Sequence, residues 1–123
     1  MNILLIGGGN SSHIFSVLAK IKGHDVTILT SKPNLWNDTV IIENNDLNLI
    51  NQRIISASGI KTINNYNTLN NYDMIILAGV PVEFYEEILL KIEPNINSEI
   101  YIGSVCAYGG FELIVRRIFK KKN

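Results

Sequence analysis

Ile3-Leu4-Leu5-Ile6-Gly7-Gly8-Gly9-Asn10-Ser11-Ser12-His13 is the stretch from which the fold of this chain is read. Four branched apolar residues in a row predict a strand buried on both faces. Three glycines follow at once, so the backbone can bend sharply and lie close to a neighbour with no Cβ in the way. A helical pattern then opens at His13. Strand, glycine turn and helix start in that order predict a cradle for a pyrophosphate. The first helical turn leaves N–H groups unpaired and carries partial positive charge. Against the pattern G-x-G-x-x-G, Gly7 and Gly9 hold the first two positions. Ser12 holds the third, where a small residue lets the helix pack close to the strand, and its hydroxyl offers a phosphate a further hydrogen bond. The competing reading is an ordinary strand-to-helix turn with no ligand.

Outward from this stretch, residues 1–30 read as one strand–helix–strand unit. Met1 to Ile6 is the first strand, and Ser11 to Lys22 is a helix with Ile14, Val17, Leu18 and Ile21 as its apolar face. Gly23 ends the helix, and Asp25 to Thr30 is the second strand. Parallel strands joined by a helix imply a right-handed crossover. Thr39 to Ile42, a turn at Glu43 to Asp46 and Asn51 to Ser56 read as a small inserted hairpin. Ile60 to Ile63 reads as the third sheet strand, and Asn67 to Asn71 as a short helical turn.

Regular patterning returns at Asp73. Met74-Ile75-Ile76-Leu77-Ala78 is apolar throughout, as a strand covered on both faces requires. Val82 to Ile92 predicts a helix with Phe84, Ile88 and Ile92 on one line and Tyr85 and Leu89 beside it, stopped by Pro94. Glu99 to Ile102 is the last strand, Gly103 to Gly110 a loop and Phe111 to Lys120 the final helix. The expected fold is α/β and Rossmann-like: a doubly wound, mainly parallel sheet of about six strands with helices on both faces, plus the hairpin. It is expected to fill residues 1–123 as one NAD(P)-binding domain.

Composition narrows the function classes. The chain is 46% hydrophobic and 18% charged, enough to build a core. Eleven basic and 11 acidic residues cancel, so bulk charge gives no case for a nucleic-acid or membrane partner. The one basic cluster, Arg116-Arg117 with Lys120-Lys121-Lys122, reads as a solvated helix end. A single cysteine, Cys106, excludes an internal disulfide and fits a reducing, cytoplasmic compartment. The glycine-broken apolar start does not read as a signal peptide, and no run approaches the roughly 20 apolar residues of a spanning helix.

Ligands of open α/β sheets bind at the carboxyl ends of the strands, so the candidate contacts are the residues that follow each strand. After the first strand these are Gly7, Gly9, Asn10, Ser11, Ser12 and His13. Asn10 reads equally as a helix cap, and His13 equally as an exposed helix-start residue. After the second strand come Thr30, Ser31 and Lys32. No acid stands here to hold a ribose 2′-hydroxyl. Two hydroxyls and a cation suit a 2′-phosphate, which places NADP ahead of NAD as the expected cofactor. The alternative is a Lys32 that points into water.

Gly79, Val80 and Pro81 follow the fourth sheet strand, and Ser104 follows the last. Cys106 reads as a packed side chain, because no His or Asp stands near it in sequence to activate it. Trp36 either stacks on adenine or packs in the core. One cysteine with His13 and His24 makes no metal-ligand set, and the adjacent Glu86 and Glu87 face different ways on a helix. No residue is assigned a catalytic role.

Gly7-Gly8-Gly9-Asn10-Ser11-Ser12-His13 resembles the Gly-x-Gly-Asn-Gly-Gly-His opening of the opine dehydrogenases, the octopine and nopaline dehydrogenases and their relatives. Leu29-Thr30-Ser31-Lys32-Pro33 with Trp36 is similar to their second-strand segment. Asp73 to Pro81, Ile92-Glu93-Pro94, Ile102-Gly103 and Gly109-Gly110-Phe111-Glu112 follow the family's order and spacing, and Tyr108 to Glu112 corresponds to its G-x-G-G-F or A-G-F element. The resemblance covers nearly the whole chain. It implies reductive condensation of an amino acid with a 2-oxo acid by a nicotinamide hydride.

Two departures bear on that implication. Ser11-Ser12 replaces a glycine pair, which retunes the pyrophosphate seat. The family also has a second, helical domain that supplies the catalytic histidine and aspartate, and that domain is expected to be absent from these 123 residues. The chain then reads as a cofactor half that needs a separate helical substrate-domain chain. Alternatively, it is a non-catalytic NAD(P)-binding or regulatory protein, or a truncated inactive remnant. An apolar patch near Phe111 to Phe119 is expected to meet that partner chain or a second copy in a homodimer.

Overall fold

The computed structural model describes residues 1–43, 54–78, 80–105 and 110–119. The first unit is β1 (Asn2–Ile6), α1 (Asn10–Ile21) and β2 (Asp25–Leu29), within one residue of the expected bounds. The inserted hairpin is β3 (Val40–Glu43) and β4 (Ile54–Ala57), paired antiparallel with Val40 opposite Ala57. Its expected turn, and the start of its expected second strand, lie outside the described residues. Then come β5 (Lys61–Ile63), β6 (Met74–Leu77), α2 (Tyr85–Ile92), β7 (Tyr101–Ser104) and α3 (Phe111–Phe119). Single 3₁₀ turns sit at Pro33–Leu35, Leu69–Asn71, Val82–Phe84 and Glu93–Asn95.

The main sheet runs β5-β2-β1-β6-β7, with all four neighbouring pairs parallel. Among the described residues this sheet has five strands where about six were expected, and the other two pair with each other. Strand order turns at β1. From there β2 pairs on one side and β6 on the other, and it is at such a switch point, beyond the carboxyl ends of the strands, that open α/β sheets form their ligand crevice.

Alternation along β1 sorts the core into two layers. Leu4 and Ile6 face a cluster built with Tyr85, Ile88, Leu89 and Ile92 of α2, on which Phe111, Ile114, Val115, Ile118 and Phe119 of α3 also pack. Ile3 and Leu5 face a second cluster with Val17 and Ala19 of α1 and Val40 and Ile55 of the hairpin. Helices therefore cover both faces, which makes this the expected doubly wound Rossmann-like sheet.

Four expectations need correction. The buried face of α1 is Ser12, Ser16, Val17 and Ala19, while Ile14, Leu18 and Ile21 are exposed. Small residues let the helix lie close to the sheet, so the phase of the helix follows closeness of approach and not side-chain size. Phe84 is exposed because the chain enters α2 through a 3₁₀ turn, which leaves Tyr85 to begin the buried line. The last strand is shifted two residues later than expected, so Gly103 and Ser104 belong to it. The apolar residues of α3 are mostly half-buried against the core, and only Leu113 among them stands well out, at 71% exposure.

Candidate functional site

The crevice is built from the ends of β1 and β2. Gly7 N–H donates to Leu29 O at 2.9 Å, so the glycine turn starts while still tied to the neighbouring strand. Gly7 has φ +116°, a conformation that side chains other than glycine rarely adopt. Gly8 is needed for space. A Cβ there would stand 3.0 Å from Thr30 Oγ1 and 3.4 Å from Trp36 Nε1. Gly9 caps α1 in an extended conformation, and no side chain bonds to the cap. Asn10 is therefore not the cap but the first helical residue, exposed beside Ser11. Ser12 and His13 N–H both donate to Gly9 O, at 3.1 and 3.3 Å, whereas the amides that open such a helix before them have no intrahelical acceptor.

Ser12 is fully buried, and its hydroxyl donates to Ala78 O at 2.9 Å, tying α1 to the end of β6. The third position of the glycine pattern thus serves packing, as the small-residue rule requires. His13 Nδ1 lies 2.9 Å from Gly9 O. A carbonyl only accepts, so Nδ1 carries the hydrogen. The imidazole stacks on Trp36, with ring centroids 3.9 Å apart and planes 16° apart. Trp36 also packs against the α1-side core cluster, so its indole braces the glycine turn from outside.

On the β2 side, Thr30 is buried, and its Oγ1 accepts a hydrogen bond from Lys32 N–H at 3.2 Å. Ser31 and Lys32 are exposed. A cleft of about 430 Å³ opens between these elements. Gly7, Gly8, Thr30, Ser31 and Val80 line it. So do Asn64, Tyr66 and Lys91, which the sequence reading did not single out, and Ile88, which it placed only on the apolar line of a helix. Asn64 and Tyr66 follow β5, which the sequence already marks as a sheet strand, so the rule that found the other loops points to them as well. Lys91 carries no such signal, since it reads as an ordinary exposed partner of Glu87 one turn earlier. Burial, and next the charge of Glu87, hold the Tyr66 phenol above its usual pKa, so it remains protonated.

The other expected contacts fall elsewhere. Pro81 is exposed at the start of the 3₁₀ turn that leads to α2. Ser104 ends β7, where its hydroxyl donates to Tyr85 Oη at 3.0 Å, away from the cleft of Gly8. Gly79, Cys106 and Lys120 to Lys122 lie outside the described residues. Arg116 pairs with Glu112 and Arg117 with Glu86, so both are engaged within the fold. Among the described residues, no group of three or more His, Cys, Asp or Glu stands close enough to hold a metal. No helix there is long and apolar enough to cross a membrane.

No family model matches this chain, and neither does any curated protein. Solved structures do. Octopine dehydrogenase with NADH and L-arginine superposes with a TM-score of 0.80 at 25% identity, over 99% of this chain and 32% of that one. The same figures hold for octopine dehydrogenase with NADH and agmatine. Yersinopine dehydrogenase with NADP+ gives 0.76 at 15% identity, over 98% of this chain. The chain spans about a third of the length of these structures. Its resemblance to the opine dehydrogenases therefore extends from motif to fold, across almost every residue of this chain and one portion of theirs.

Proposed function

We propose that these residues form the nicotinamide-dinucleotide-binding domain of an opine-dehydrogenase-like oxidoreductase. The observation that carries this reading is the cleft at Gly7, Gly8, Thr30 and Ser31, beside a start of α1 that no side chain caps. It lies at the strand ends where open α/β sheets bind ligands, and octopine dehydrogenase, which matches over 99% of the chain, was solved with NADH. The pyrophosphate lies over the turn, on the amides of Gly9, Asn10 and Ser11, and the adenosine lies toward β2 and β5. NADP is preferred to NAD, because the β2 loop offers Thr30, Ser31 and Lys32 and no carboxylate.

The groups that move protons and bind substrate lie outside this site. His13 is held by Gly9 and Trp36, and His24 Nδ1 lies 3.2 Å from the Met1 amino group. Neither is placed to serve as acid or base beside a nicotinamide. A helical substrate portion completes the enzyme and packs on the apolar surface that α1 and β7 leave open. Titration of the purified chain with NADPH and NADH, followed by nucleotide fluorescence, tests the reading. NADPH is expected to bind more tightly and to lose that advantage in Lys32→Glu. Equal, weak binding of both overturns the preference, and no binding overturns the function.

A further inference from the structure

The α2 wall of the cleft carries charge that the sequence reading left unused. Lys91 lines the cleft one turn beyond Ile88, and its Nζ lies 3.8 Å from Glu87 Oε1. Both side chains are more than half exposed, and an exposed pair of this kind is weak and readily exchanged. Glu87 also raises the pKa of Tyr66, so its carboxylate lies close enough to influence two residues that line the same space. Across the cleft stand Thr30 and Ser31, while the exposed Lys32 is not among the residues that line it.

We propose that Lys91 adds to Lys32 in determining cofactor specificity, leaving Glu87 to bind the phosphate monoester on the adenosine ribose of NADP(H). The proposal rests on the dinucleotide reading above and deepens it. A phosphate monoester carries between one and two negative charges near neutral pH and presents three acceptor oxygens, so it competes well with a solvated carboxylate for one ammonium. Ser31, on the facing wall, supplies a hydroxyl donor to the same group. Lys32 stands exposed on the adjoining β2 loop. An adenosine with a free 2′-hydroxyl gives Lys91 no reason to leave Glu87, so discrimination comes from the exchange of counter-ion.

Wild type, Lys91→Gln and Glu87→Gln are titrated with NADPH, NADH and 2′-AMP. Lys91 and Glu87 are both exposed, so the variants are expected to fold. Lys91→Gln is expected to weaken NADPH and 2′-AMP about tenfold, the loss expected of one charge-assisted contact, while NADH changes less than about twofold. Glu87→Gln is expected to tighten NADPH and leave NADH unchanged. An NADPH-to-NADH ratio in Lys91→Gln equal to that of wild type overturns the assignment of Lys91 and leaves the dinucleotide reading standing. Failure of wild type to bind any of the three overturns both.

Discussion

Ser12 shows how one atom links the site to the scaffold. Its buried hydroxyl satisfies Ala78 O at the end of β6, and its small size lets α1 approach the sheet. Ser12→Ala keeps the size and removes the donor, leaving a buried carbonyl unpaired at a cost of roughly 1–3 kcal/mol. Guanidinium unfolding measures this, and an unchanged midpoint would contradict it. Tyr66 supplies a pH-dependent counterpart. Its phenol titrates above the ordinary tyrosine value because of burial and Glu87, so folding favours the protonated form. That contribution is complete below the unfolded value of about 10 and is lost as pH rises through the folded one. Unfolding midpoints from pH 8 to 11 should therefore fall less in Tyr66→Phe than in wild type.

At the scale of elements, the sequence pattern identified most strands and helices but not their phases. β1, β2 and β6 are short apolar runs with turns at both ends, so their bounds were legible to within a residue. In α1 the spacing was legible, yet two stripes share it. Ser12, Ser16 and Ala19 recur at the same interval as Ile14, Leu18 and Ile21, on the opposite side of the helix. Hydropathy favours the second stripe, whereas close packing on the sheet selects the first. The shift of β7 has a similar origin, since Gly103 and Ser104 read as loop residues and are held in the strand only by pairing with Ile76 and Leu77.

The glycine turn and the β2 loop were legible because their chemistry is local. Tyr66 was within reach of the strand-end rule, whereas Lys91 was not, because only the fold brings α2 to the same cleft. The phase correction in α1 has a measurable consequence. Ile14→Gln should change stability by no more than about 0.5 kcal/mol, as an exposed site does. Leu89→Ala, at a fully buried position of α2, should cost about 2–5 kcal/mol. Equal costs at the two sites would contradict the assigned faces.

For the whole molecule, the two faces of the sheet are covered unequally. α2 and α3 lie on one face, whereas α1 and the hairpin on the other leave Met74, Tyr101 and Ile102 beside Phe15 in an open apolar groove. Exposed Ile14, Leu18 and Ile21 extend that surface along α1. Surfaces of this kind are usually met by a partner. The isolated chain is accordingly expected to associate as its concentration rises, which sedimentation velocity would detect. A monodisperse monomer at high concentration would argue against the proposed partner surface while leaving the cofactor site intact.

The central claim is that the glycine turn and the bare amides behind it seat the diphosphate of a dinucleotide. Amide NMR of the ¹⁵N-labelled chain during NADPH titration tests this directly. The account predicts the largest, saturable shifts at Gly8, Gly9, Asn10 and Ser11, with the Trp36 indole N–H responding alongside them. Saturable shifts confined to other parts of the sheet, or no shifts at all, would contradict it.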